Sequence, residues 1–182
     1  MSVIKDIKFD LFRLRTEFEV GNFMALLANR GIHALVNYRL AHFLFTKRVP
    51  FLPLVLTRII QILYGIDIDY KATLQGGIVI IHGIGIVIGQ GAIVKSNTTI
   101  YHGVTLGRKG QSAKIPSWDG YPVIFNNCVL GAGAKIIGPV EIGENSIVGP
   151  NCVVTESFPG NCIIKVPSSY LEVKSIQTKL TY

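Results

Sequence analysis

VIFNNCVLGAGAKIIGPVEIGENSIVGPNCVV, residues 123–154, carries an aliphatic side chain at every sixth position: Ile124, Leu130, Ile136, Ile142, Val148 and Val154. An α-helix turns every ~3.6 residues and a flat strand alternates, so neither repeats in sixes. The same step runs back through Leu106, Ile100, Val94 and Ile88, and through Ile80, Leu74 and Ile68. A repeat of this length is the signature of a parallel β-helix, in which three short strands make one triangular coil. Glycine often follows the aliphatic residue (Gly89, Gly107, Gly131, Gly143, Gly149), as expected where a chain turns sharply without a Cβ. Four residues after it comes something small: Thr98, Val104, Cys128, Ala134, Ser146 or Cys152. A narrow prism needs both large and small side chains to fill it. The fold expected is mainly β, a hexapeptide-repeat parallel β-helix over 65–166.

Ahead of the repeats, residues 1–64 read as a small helical segment, and 167–182 as a polar tail. Ile4, Ile7, Leu11, Leu14 and Phe18 form an apolar stripe at helical spacing. A second helix is expected over 22–29 with Gly31 as its C-terminal stop, a third over about 32–46, and a fourth after Pro50 and Pro53. The stretch VPFLPLVLTRIIQILYG (49–65) is the most apolar part of the chain, but prolines and Arg58 interrupt it, and it is too short to span a bilayer. Packing against the β-helix or a neighbouring subunit is expected, with peripheral contact to a membrane surface as the alternative.

A chain of 182 residues with 49% hydrophobic and 16% charged residues suits one domain with a sizeable core. The net charge of +7 fits an anionic membrane surface or a phosphorylated small molecule. No Lys/Arg run forms a nucleic-acid arm, and aromatic residues are not interleaved with the basic ones, so no nucleic-acid partner is expected. Three cysteines cannot all pair, and Cys128 and Cys152 fall at the small interior position. The N-terminal MSVIKDIKFDLF has acidic residues and no continuous apolar core, unlike a secretory signal. A reduced, cytoplasmic setting is expected, at the inner membrane surface if the apolar stretch lies there.

The repeat is interrupted twice. Ile80 and Ile88 are eight residues apart, so IIHGIGIVIG (80–89) holds two extra residues, and GRKGQSAKIPSWDGYPV (107–123) lacks the repeat altogether. The second interruption reads as a loop extruded over 107–121, and long loops on rigid scaffolds are usually functional. His82 lies two residues after Ile80 and His102 two after Ile100. Three hexads plus the insert separate them, which is one complete coil. The two imidazoles therefore share a phase of the prism, at the ~4.8 Å spacing of neighbouring strands. Histidine exchanges a proton near neutral pH and suits general-base work on an alcohol. His33 and His42 lie in the helical part and are given no role. A catalytic zinc usually has three protein ligands; the β-helix offers two histidines, so no metal is expected. No G-x-x-x-x-G-K-[ST] phosphate loop occurs.

IHALVNYRLAHFLF (32–45), GIDID (65–69), IIHGIGIVIG (80–89), IYHGVTLG (100–107) and VIFNNCVLGAGAKIIG (123–138) together resemble bacterial serine acetyltransferases of the left-handed β-helix class, over about residues 30–166. The resemblance implies transfer of acetyl from acetyl-CoA to a hydroxyl. It also implies a homotrimer, with room for a dimer of trimers, and a thioester held between neighbouring β-helices. It makes His82 the base and Asp67 the carboxylate that orients it, and places Gly107, Ala132 and Ala134 along the CoA cleft. Lys135, Lys114 and Lys165 are nearby cations for the CoA phosphates. Two departures stand out: Ile81 replaces an acidic residue before the base, and Gly120-Tyr121-Pro122 replaces Arg-His-Pro after the loop. In the family these lost residues are expected to hold the amino acid's ammonium and carboxylate, and a zwitterion needs paired, charge-assisted contacts to leave water. A neutral acceptor is therefore expected, a sugar hydroxyl of a surface polysaccharide or its precursor. His102, Tyr121, Trp118 and Asp119 would hydrogen-bond it, with Trp118 as a stacking face. Serine O-acetylation in cysteine biosynthesis stays open as the alternative, and a non-catalytic β-helix scaffold as a second.

Overall fold

A computed structural model describes residues 3–19, 27–110 and 120–167. Among the described residues the fully bounded helices are α1 (Val3–Phe18), α2 (Arg30–Thr46) and α3 (Leu52–Tyr64). Fourteen short strands then wind into a three-faced prism of parallel ladders. The first face stacks β1 (Asp67–Ile68), β4 (Val87–Ile88), β7 (Thr105–Gly107), β10 (Lys135–Ile137) and β13 (Val153–Val154). The second stacks β2 (Thr73–Leu74), β5 (Ile93–Val94), β8 (Val123–Ile124) and β11 (Glu141–Ile142). The third stacks β3 (Val79–Ile81), β6 (Thr99–Tyr101), β9 (Val129–Leu130), β12 (Ile147–Val148) and β14 (Ile163–Ile164).

Register follows the hexads: Ile68 pairs with Ile88, Ile88 with Leu106, and Leu106 with Ile136. All thirteen aliphatic positions from Ile68 to Val154 point inward, none more than 5% exposed. The small positions Thr98, Val104, Cys128, Ala134, Ser146 and Cys152 are buried with them. The glycines after the aliphatic residues serve a different purpose from the one expected. None of Gly89, Gly107, Gly131, Gly143 and Gly149 has a positive φ. At Gly131 and Gly143 the need is the close approach of stacked coils: a Cβ on Gly143 would lie 2.2 Å from the Gly160 nitrogen, and one on Gly131 2.7 Å from the Pro150 nitrogen. The left-handed turns fall to other glycines, such as Gly103 and Gly133, and to asparagines. At one edge Asn127 Nδ2 donates to Asn145 Oδ1, and Asn145 Nδ2 to Asn161 Oδ1, both at 3.0 Å.

The helices are fastened to the first coil. Tyr38 OH donates to the Ala72 carbonyl at 2.7 Å and accepts from Leu74 N–H at 3.0 Å. On α1, Leu14 is buried but Ile4 at the start of the apolar stripe is exposed. Gly31 is not a helix stop. It lies in the first turn of α2, capped by Asn29, whose side chain accepts from Ile32 N–H. There it lets α2 approach β3, since a Cβ would sit 2.4 Å from the Ile80 carbonyl oxygen. The expected helix over 22–29 lies largely outside the described residues, as do residues 168–182 of the tail. No helix among the described residues is long and apolar enough to cross a membrane.

Candidate active site

The first interruption of the repeat shapes one edge of the prism, where the third face turns into the first. β3 and β6 pair with Ile80 opposite Ile100 and Ile81 opposite Tyr101. The later coil then needs only His102 and Gly103 to reach buried Val104; the earlier one uses His82, Gly83, Ile84 and Gly85 before buried Ile86. The slack folds into a tight knot. Gly83 N–H donates to the Ile81 carbonyl at 2.8 Å and Ile84 N–H to the His82 carbonyl at 3.0 Å. His82 takes φ +63°; every other described non-glycine residue of the prism with positive φ is an asparagine. Such backbone persists only where the surroundings dictate it, and it clusters at active sites.

Both imidazoles are exposed on this edge. Their centroids are 5.9 Å apart and their planes meet at 61°, so the shared phase read from the spacing is the observed one. Asp67, on β1, pairs in register with Val87, one coil beneath the strand that leaves the His82 edge. Gln61 Nε2 donates to Asp67 Oδ2 at 3.1 Å, and no hydrogen bond among the described residues joins Asp67 to His82. Ala132 continues the edge beyond His102, whose carbonyl accepts from Gly133 N–H at 2.9 Å. Ala134 is fully buried, which leaves only its backbone to face a ligand. Lys135 Nζ donates to the Gly103 carbonyl, beside His102. Lys165 is exposed on the last coil.

The other expected residues stand on the next edge, between the first and second faces. Gly107 ends β7 there, and Tyr121 lies across Gly89, one ring carbon 2.3 Å from where a Cβ would be. His102 and Tyr121, expected to meet one acceptor, are therefore on different edges of the same chain. The reason is that the 107–121 loop leaves from the far end of the first face, where hexad arithmetic stops. Lys114, Trp118 and Asp119 lie outside the described residues. Among the described residues no three of His, Cys, Asp and Glu converge as a metal-binding group.

The sequence reading missed two residues. Gln61 reaches Asp67 from α3, and nothing in the helical pattern signals it. Half-buried Arg108 lies at the root of the loop, its Cγ 3.3 Å from where a Gly120 Cβ would be. A cation directly after Gly107 was the available signal, overshadowed by Lys114 and Trp118 further along.

The bacterial transferase hexapeptide family (six repeats) matches residues 121–156. The serine acetyltransferase of Helicobacter pylori strain 26695 is 36% identical over 156 residues, covering 85% of this chain and 89% of that protein. The chain belongs to the serine acetyltransferase family. That of Synechococcus elongatus is 42% identical over 139 residues, 76% of this chain, although the chain spans only 55% of that relative. Neisseria gonorrhoeae serine acetyltransferase in complex with serine superposes with a TM-score of 0.83 at 29% identity, over 91% of this chain and 67% of that one. Entamoeba histolytica serine acetyltransferase isoform 3 in complex with cysteine gives 0.85 at 27% identity, over 96% and 62%. The coils are those of the family's left-handed β-helix.

The expected sugar acceptor does not survive these comparisons. The relatives are serine acetyltransferases, and one is solved with serine bound. The positive charge counted as lost at Gly120-Tyr121-Pro122 was counted without Arg108, which the fold brings against Gly120; the acidic residue lost at Ile81 has no such replacement among the described residues.

Proposed function

We propose that this chain transfers the acetyl group of acetyl-CoA to the hydroxyl of serine, with His82 as general base. The observation that carries the reading is the exposed His82–His102 pair on the edge shaped by the repeat insertion, in a member of this family. His82 takes the hydroxyl proton as the serine oxygen attacks the thioester carbonyl. A backbone N–H of the edge stabilises the tetrahedral oxyanion. Collapse of the intermediate expels CoA as a thiolate, which takes the proton back from the imidazolium. No acyl-enzyme is needed, because both substrates bind together. Asp67, one coil away on β1, is the carboxylate that the family resemblance assigns to orienting His82. Ala132, Ala134, Lys135 and Lys165 form the side along which CoA lies, with Gly107 contributed from the adjoining edge. Because the expected site residues divide between two edges, the working unit is a homotrimer in which an edge of one chain faces an edge of the next.

A thiol-release assay with purified protein, acetyl-CoA and serine tests this reading. His82→Ala is expected to lower kcat by about 10²- to 10⁴-fold while acetyl-CoA affinity stays unchanged. No thiol release with serine, or unaltered turnover in the variant, would overturn it.

A further inference from the structure

β1 is the end strand of its face: β4 stacks on one side of it, and no strand among the described residues stacks on the other. Half-buried Asp67 on this strand meets α3 on the open side. Gln61 lies in the last turn of that helix, and Gly65, left-handed at φ +65°, closes it by donating its N–H to the Gln61 carbonyl at 2.9 Å. The chain then enters β1 after Ile66, which brings Asp67 Oδ2 within 3.1 Å of Gln61 Nε2. Only the nitrogen end of a glutamine amide can donate to a carboxylate. Arg58 sets which end that is: its Nη1 donates to Gln61 Oε1, and Nε2 is left for Asp67. Among the described residues Asp67 has no other side-chain hydrogen bond. The same backbone runs beneath the knot that carries His82. Gly85 N–H donates to the Gly65 carbonyl at 2.8 Å and Asp67 N–H to the Ile86 carbonyl at 2.9 Å. Between them Ile66 packs on Gly83, its Cδ1 2.5 Å from where a Cβ would be. Residues 65–67 and 83–86 thus form one hydrogen-bonded layer, held from below by α3.

We infer that Gln61 is a positioning residue for the acetyl transfer: it holds Asp67 by Oδ2 so that Oδ1 faces the His82 imidazole, which makes the end of α3 part of the active centre. An untethered carboxylate at the end of a sheet turns about two side-chain bonds and spends much of its time facing water. One hydrogen bond from an amide that is itself fixed removes that freedom, and orientation of this kind is repaid in rate. The inference rests on the serine reading above, in which Asp67 orients His82.

The test uses Gln61→Met and Gln61→Glu in the full chain, and Gln61→Met again in a chain that carries Asp67→Ala, with kcat and both KM values measured for each. Q61M removes the donor at similar length and is expected to lower kcat about 10-fold, the worth of one hydrogen bond to a charged group. The serine and acetyl-CoA KM values and the circular dichroism spectrum should not change. Q61E keeps an acceptor for Arg58 but turns a carboxylate towards Asp67, and its kcat is expected to fall at least as far. In the D67A chain Q61M is expected to cost nothing further, because no carboxylate is left to hold. A role in helix packing alone would instead lower activity equally in both backgrounds. An unchanged kcat in Q61M, a Q61E chain as active as the wild type, a loss carried by either KM, or an equal loss in D67A would each overturn the inference while leaving serine acetylation standing. A wild-type protein inactive on serine would remove both readings together.

Discussion

Arg39 donates to both carboxylate oxygens of Asp10, at 2.7 and 2.9 Å, and to the Gln75 carbonyl at 2.9 Å. The same Asp10 accepts from Ile78 N–H at 2.8 Å. Burial pushes the Asp10 carboxyl up and the Arg39 contacts oppose that shift, so the pair ties α1, α2 and the first coil into one buried network. In the sequence Asp10 is only a polar residue among Ile7, Leu11 and Leu14, and its partner lies 29 residues away. Tyr38 beside it is equally hidden from pattern reading. Burial raises its phenol from 10.0 to about 12. The unfolded chain ionises first as pH rises, so the stability this group supplies is whole below pH 10 and fades as pH climbs from 10 to about 12. That loss amounts to about 2 to 3 kcal/mol for a shift of this size. Urea denaturation at pH 9 and at pH 11.5 should show it in the wild type and not in Tyr38→Phe; an equal fall in both would remove Tyr38 as the source.

At the scale of the coil, the spacing of eight between Ile80 and Ile88 was visible as an irregularity, and its phase placed His82 beside His102 before any coordinates. Its consequence for the backbone was not visible: the two extra residues put His82 at φ +63° and close on themselves through Gly83 and Ile84. Deleting Ile84 and Gly85 should restore a regular hexad matching His102-Gly103-Val104. The prism should still fold, with a circular dichroism spectrum like that of the wild type. Turnover should fall to the level of His82→Ala, because the imidazole takes the ordinary turn conformation. Retained turnover in a folded deletion variant would show that the knot does not position the base.

The whole molecule leaves large apolar side chains uncovered, among them Ile62 and Leu63 on α3, Ile84 at the His82 edge, and Val153 and Ile163 on the last coil. In the proposed homotrimer these surfaces, and the site residues divided between two edges, meet other copies of the chain. Light scattering at micromolar concentration is expected to give about three times the 19.9 kDa chain mass; a monomer under those conditions would contradict the shared site. The sequence by itself determined the prism, the inward set from Ile68 to Val154 and the common phase of His82 and His102. A six-residue period is a property of the local winding, so it fixes which way each side chain leaves the axis. Only the tertiary structure decided that His102 and Tyr121 stand on separate edges, that Lys135 lies beside the histidines, that Gln61 holds Asp67 and that Arg108 rests on Gly120. Those outcomes depend on where an irregular loop departs and how far long side chains reach across coils, and periodicity carries no record of either.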